Sequence, residues 1–464
     1  MYKWHRRLAW LMAVPMTLWM LSGVLHPMMS NWFKPEIENK FLIKSAISVE
    51  DFELSVSAIF SDIEKLHMVK LIQIEDRPVL MGISPDQERH YRDAVTGEKI
   101  NSGEEQYVEQ LARAYMNDSN SPLVSITKIA SFDAGYSYIH RFLPVYRVEL
   151  DREDDLQVVI DPRTGKLAAY DNQFRRVSSK LFSWLHTWSF LGSRDSLFRI
   201  GVVSFLSLCG FFIALSGAIS LWTMRKAKRK GKKARRTHYW LGAVTSLLFF
   251  MFSLSGFFHV VVKFDYDDSD QWVSKQAVDT KTLDCSLSEV LTEVGFVKEL
   301  SLAVIDEKPH YRIVKPGRDS LVVMFDLSSK SSLEGGDERY AKQLALEFSE
   351  YSSSDIKGTE KITKFRNDYG FIFRRLPVWR VSFKDKEYWS YTVDTQDAHM
   401  ALRVKPMTVI EAISFVNLHK FHFIDPLGKS LRDWVLVVSV GLMLITVFSG
   451  VLLMIRRRKR SVEQ

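Results

Sequence analysis

Cysteine is nearly absent from this chain, with two in 464 residues. Cys209 falls in an apolar run and Cys285 in a polar segment, so the sequence offers no disulfide, zinc site or thiol chemistry. Charge is missing from four stretches, Leu8–Met29, Ile200–Met224, Tyr239–Val262 and Trp434–Ile455. Each reaches the roughly 20 residues a helix needs to span a hydrocarbon core, so four transmembrane helices are expected. Nucleotide and hydrolase signatures are missing too. There is no Walker motif, no G-x-G-x-x-G after a strand, no H-E-x-x-H and no G-x-S-x-G. The chain shows no nicotinamide or flavin site of its own.

The charge that is present lies unevenly. Lys3, Arg6 and Arg7 precede the first stretch, "RKAKRKGKKARR" (225–236) joins the second to the third, and "RRRKR" (456–460) follows the fourth. The net +8 is therefore a topology signal and gives no reason to expect nucleic acid as a partner. Basic flanks stay in the cytoplasm, which puts both termini and the short loop there. The expected setting is a bacterial inner membrane with two large periplasmic segments. In order, the chain reads as helix 1–32, domain 33–190, helix 195–224, basic loop 225–237, helix 238–262, domain 263–425, helix 432–455 and basic tail 456–464. The first stretch has the basic front and apolar middle of a signal peptide. No small-x-small site follows it and a near copy lies in mid-chain, so it reads as a retained helix.

The copy is one part of an end-to-end repeat. "HRRLAWLMAVPMTLWMLSGVLH" (5–26) returns as "HYWLGAVTSLLFFMFSLSGFFH" (238–259), a displacement of 233 residues. The same displacement carries "RFLPVYRV" (141–148) onto "RRLPVWRV" (374–381), Asp161 onto Asp394, Leu185-His186 onto Leu418-His419, Arg199 onto Arg432 and Ser216-Gly217 onto Ser449-Gly450. Each half starts and ends on the same side, so the expected pseudo-two-fold axis runs along the membrane normal. Between the spans, "RDAVTGEKI" (92–100) and "IDPRTGKLA" (160–168) share a D-x-x-T-G turn that decays to "DLSSK" and "DTQDA" in the second half. Segments such as "VYRVEL", "LQVVI", "LVVMF", "VWRVSF" and "YWSYTV" read as strands, and "GEEQYVEQLARAYM" and "DERYAKQLALEFSEY" as amphipathic helices. The fold class is thus an α-helical membrane protein of four helices in two parallel repeats, with two periplasmic α+β domains.

The unit "LPVYRVELDREDDLQVVIDPRTGKL", combined with "HRRL", "LSG" and "LH" around four helices, resembles the PepSY-associated transmembrane proteins, often described as iron-regulated membrane proteins. The resemblance implies PepSY-like modules in both far-side segments. It also implies a reductase of ferric siderophores that carries haem b.

Six of the twelve histidines form pairs at the repeat offset: His5/His238, His26/His259 and His186/His419. His5 and His26 are separated by about 31 Å of helix and mark opposite faces of the bilayer. His186 lies in "SSKLFSWLHTWSFLG", an amphipathic stretch suited to the outer interface, so His26, His186, His259 and His419 share one layer. Neutral imidazole is a good axial ligand for haem iron. Those four are the expected iron ligands, with His5 and His238 as candidates for a further haem in the inner layer. Two haems are expected, within a range of one to three. Gly23 and Gly256 lie three residues before His26 and His259 on the same helix face, where a side chain would crowd a flat macrocycle. The outer pairing stays open: His26 with His186 inside one half, which is slightly favoured, or with His419 across the axis. Arg141, Arg374, Arg147 and Arg380 could meet an anionic group, with salt bridges between strands the simpler reading. The reading is an electron-transfer protein supplied by a quinol or a redox partner and acting on a ferric siderophore. The alternatives are a non-redox PepSY protein that binds a peptide or restrains a protease, and a small-molecule transporter.

Overall fold

The computed structural model describes residues 2–39, 42, 47, 52–133, 135–223, 233–262, 271–294, 297–317, 321–366 and 368–462. Met224, most of the expected basic loop, the start of the segment from 263 and the last two residues of the tail lie outside the described residues.

The main helices are α1 (Tyr2–Pro27), α2 (Gly103–Met116), α3 (Gln173–His186), α4 (Leu197–Thr223), α5 (Lys233–Val262), α6 (Gly336–Glu347), α7 (Pro406–Ser414) and α8 (Lys429–Val462). The main strands are β1 (Met68–Ile74), β2 (Arg77–Ile83), β3 (Arg89–Asp93), β4 (Leu123–Ile129), β5 (Val145–Leu150), β6 (Gln157–Asp161) and β7 (Lys166–Asp171) in the first half. In the second half they are β8 (Glu299–Ile305), β9 (Lys308–Val314), β10 (Val322–Asp326), β11 (Ser331–Leu333), β12 (Ile356–Ile362), β13 (Val378–Phe383), β14 (Ser390–Asp394) and β15 (His399–Val404). The chain divides into two compact units.

The helical unit comprises residues 1–35, 173–267 and 406–464. Four of its helices, over Lys3–Trp32, Leu197–Thr223, Lys233–Val262 and Lys429–Arg458, are long and apolar enough to cross a membrane. α1 and α5 each pack against both α4 and α8, which makes a closed ring with α1 and α5 on one diagonal. Met12, Met16, Met20, Leu206, Phe249, Val440 and Met443 fill its centre. Much of the outward face is apolar, with Trp10, Phe205, Phe212, Leu247 and Ile445 exposed, as lipid requires.

The second unit holds residues 36–172 and 268–405 and departs from the expected pair of separate domains. One seven-stranded sheet, β11-β10-β9-β8-β1-β2-β3, contains strands of both halves. Its central joint pairs β1 with β8 antiparallel, Leu71 opposite Leu300 and Lys70 opposite Ser301. Alone, each half's antiparallel strands would leave an edge of unpaired backbone groups, and joining the two edges satisfies both. The expected domain limits also shift, because residues 173–190 and 406–425 belong to the helical unit.

Two four-stranded sheets, β4-β5-β6-β7 and β12-β13-β14-β15, complete the unit. The D-x-x-T-G turns close the way their residues dictate. Asp161 accepts from the Arg163 N–H at 3.0 Å and from the Thr164 hydroxyl at 2.6 Å, and Gly165 takes a φ of +67°. Ala398 stands 233 residues on without glycine's freedom, yet takes a φ of +49°. The change of sequence leaves the backbone of this turn as it was.

Candidate functional site

Each Ser-Gly pair of the apolar helices meets a histidine. Ser22 on α1 is hydrogen bonded to His186 Nδ1 at 3.0 Å, and Ser255 on α5 to His419 Nδ1 at 3.1 Å. At the basic end of the ring, Ser216 on α4 is bonded to His5 Nδ1 at 3.1 Å, and Ser449 on α8 to His238 Nδ1 at 2.9 Å. The glycines let the rings lie against helix backbone. A Cβ on Gly217 would stand 3.3 Å from His5 Cε1, and one on Gly450 3.1 Å from His238 Cε1. Gly256 has His419 Cε1 at an ordinary 3.7 Å, and Gly23 has only Val440 at 4.0 Å, so the tightest fits occur at the inner pair.

The serines determine the tautomer. A hydroxyl has one proton, and each serine donates it back along its own helix: Ser22 to Trp19 O, Ser216 to Ile213 O, Ser255 to Met251 O and Ser449 to Thr446 O. The Oγ must therefore accept from the imidazole, so Nδ1 carries the hydrogen in all four rings. His5 and His238 also bring Nδ1 to 3.3 and 3.2 Å from the carbonyls of Ile213 and Thr446, where only an N–H is favourable. In the neutral ring Nε2 then keeps its lone pair. Burial pushes His186 down to about 4 and His419 well below its ordinary value, so both rings are neutral at pH 7.

At the far end, His186 and His419 meet across the two halves with ring centroids 6.1 Å apart and planes at 86°. Within each half a phenyl ring is interposed instead. Phe182 stacks on His186 at 4.6 Å and lies 6.2 Å from His26, and Phe415 stacks on His419 at 4.7 Å and on His259 at 4.0 Å. A flat ligand cannot pass between His259 and His419 while Phe415 fills that gap. The structure brings together the rings of His186 and His419, a pair that neither expected pairing named. His26 is exposed at the end of α1.

The donor set decides which metal group suits these residues. Among the described residues no three or more His, Cys, Asp or Glu side chains converge as a bare ion would require. Two neutral imidazoles suit a metal whose other ligands come from a macrocycle, as in haem. His186 and His419, with ring centroids 6.1 Å apart, are the residues that would hold it. The residues fit the group.

Other functional candidates separate clearly. Arg380 pairs with Asp368 at 2.6 Å, and Arg147 donates to the Gly135 carbonyl at 3.3 Å. Ser216 and Ser449 are read from the sequence only as part of its repeat, and Glu411 is not read at all. The serines repeat beside the glycines at the common offset, which is a signal; Glu411 has none, because Ser178 stands 233 residues before it.

The family described as the PepSY-associated TM region matches residues 2–319, more than half of the chain. No curated protein matches the chain.

Proposed function

The chain belongs to the PepSY-associated transmembrane family, and we propose that it is an inner-membrane b-type haem protein that passes electrons to a periplasmic ferric siderophore. The observation that carries the reading is the His186–His419 pair, 6.1 Å apart, each ring held by a serine at Nδ1. At the other end His5 and His238 are each held by a serine at Nδ1 in the same way, so the ligand set we propose is His186 with His419 and His5 with His238. This set leaves His26 and His259 outside and implies two haems. Haem held by these residues would supply one-electron transfer.

The chain's own residues prepare those positions. Ser22, Ser216, Ser255 and Ser449 hold the tautomer and orient each ring, as partners of metal-bound histidines do. Phe182 and Phe415 cover the outer imidazoles and keep water from them. The basic ends of α1, α5 and α8 support a cytoplasmic setting for that side of the ring and a periplasmic one for the strand-rich unit. The common offset of 233 supports descent by duplication. Iron in the siderophore is the substrate; reduction to the ferrous state weakens its hold on hard oxygen ligands and frees it.

A visible spectrum of the purified protein, oxidised and then dithionite-reduced, with a pyridine haemochrome count, tests the reading. Sharp low-spin b-type bands and two haems per chain are expected, with His186→Ala losing the outer one and His26→Ala retaining it. A colourless protein from haem-replete cells would refute it. That outcome would favour a peptide-binding PepSY protein, which has one observation behind it: β4 is a sheet edge with Leu123 and Val124 exposed, open to an added strand.

A further inference from the structure

The far end of the helical unit breaks its own repeat. Where the second half has Glu411, Lys420, His422, Asp425 and Asp433, the first has Ser178, Thr187, Ser189, Gly192 and Ile200, and only the arginine recurs, as Arg199 and Arg432. The added charges are connected. The Glu411 side chain is 3% exposed and is hydrogen bonded to His259 Nδ1. Arg432 pairs with Asp433 at 3.0 Å and with Asp425 at 2.7 Å, and Asp425 also holds His422 at 2.7 Å. Asn31 donates to Asp433 at 2.9 Å, and Lys420 lies within electrostatic reach of Glu411 and Arg432. Of these groups Lys420 faces the dyad, and His419 stands behind Phe415.

We propose that His259 and Glu411 form the head-group site of a membrane quinol, the electron donor for the haem reading above, on which this inference rests. The chain shows no nicotinamide or flavin motif, so a two-electron donor soluble in the bilayer fits its setting. A quinol gives up two protons with its two electrons, and an acceptor must stand where it binds. The His259 side chain is 35% exposed on one side and bonded to a buried carboxylate on the other, an imidazole oriented by an acid. Phe415, stacked at 4.0 Å, fixes the ring plane. Met407, Ile410 and Ile413 are exposed on α7 beside Glu411 and give an isoprenoid tail an apolar flank. Ser178 cannot do this in the other half, so there is one site per chain.

In the step, both quinol O–H bonds break; its two electrons would leave one at a time for the haems that His186 with His419 and His5 with His238 would hold. The first proton goes to His259 Nε2, giving an imidazolium whose Nδ1–H stays on the Glu411 carboxylate. The exposed Nε2 edge releases that proton to water, which restores the ring, the second proton follows the same route, and the quinone leaves.

The test uses the full-length, haem-loaded protein in nanodiscs, with duroquinol as donor and a fluorescent hydroxyquinoline N-oxide as a quinol analogue. Glu411→Gln is expected to weaken binding of the analogue about tenfold or more, the loss of one hydrogen bond to a charged group. Haem reduction by duroquinol should slow about 100-fold or more, the contribution of a positioned base. The absorption spectrum and reduction by dithionite should not change. His259→Gln should behave alike, and Ser178→Ala should match wild type. Wild-type analogue binding and duroquinol rate in both dyad variants would overturn the proposal, as would loss of the haem spectrum in either. A haem-loaded wild type that duroquinol does not reduce would overturn this inference alone. A wild type without haem would overturn the proposed function and this inference with it.

Discussion

Ser255→Ala removes one oxygen from a side chain that is 1% exposed, and the effect follows from two hydrogen bonds. The hydroxyl donates to Met251 O at 2.7 Å, which the helix tolerates losing, and accepts from His419 Nδ1–H at 3.1 Å, so its loss leaves that ring the Phe252 carbonyl alone. Losing one hydrogen bond of the two costs about 0.5–1.5 kcal/mol. In haem-ligand terms that is a loss of affinity of about 10-fold, the lower end of what removing a group that orients a metal-bound histidine costs. Ser22→Ala at His186 should match it, because its bond of 3.0 Å is equivalent. The assay is haem transfer from the purified protein to excess apo-globin, followed by absorbance, with thermal unfolding as a check on the fold. Both variants should release haem faster and the double variant faster still. If both retain haem as wild type does while His186→Ala loses it, the serines do not determine the ligand tautomer and the argument from Nδ1 fails.

Further outcomes follow from the same geometry. Gly450→Ala places a Cβ 3.1 Å from His238 Cε1 and Gly23→Ala meets nothing closer than 4.0 Å, so the first should shift the inner haem's spectrum and the second should leave the apoprotein's melting temperature unchanged. Asp397 is wholly buried and pairs with Lys70 and, at 2.9 Å, with Arg375, so Asp397→Asn should destabilise the strand-rich unit by about 3–5 kcal/mol in thermal unfolding at pH 7. Burial alone would raise the Asp397 pKa, but Lys70, Arg375 and Arg163 outweigh it and hold the carboxyl well below the ordinary carboxylate range. Its stabilisation is therefore complete above the unfolded value of about 3.9 and fades as pH falls below it, so the gap between wild type and Asp397→Asn should narrow in acid. Ala398→Gly should raise stability by about 1 kcal/mol in the same unfolding assay, because a φ of +49° strains alanine and not glycine.

Much of this protein was legible before any fold was known. Four uncharged runs of bilayer length can only be satisfied as helices when lipid surrounds them, and the basic flanks choose their direction. The offset of 233 placed His5, His26, His186 and their twins in corresponding positions. What the offset could not say is which residue faces which. Ser22 finds His186 164 residues away, and His186 finds His419 in the other half; those meetings depend on how the ring of helices closes. The phenyl rings that separate His26 from His186 and His259 from His419 sit four residues before His186 and His419, one helical turn, yet their stacking is a matter of packing and not of spacing. The strand-rich segments looked like two domains because each half repeats the same strands. They form one unit because two equivalent strand edges find each other, a pairing no local pattern encodes. Glu411 is the extreme case: a repeat shows what is shared, and this carboxylate gains meaning only from where its helix brings it, against His259.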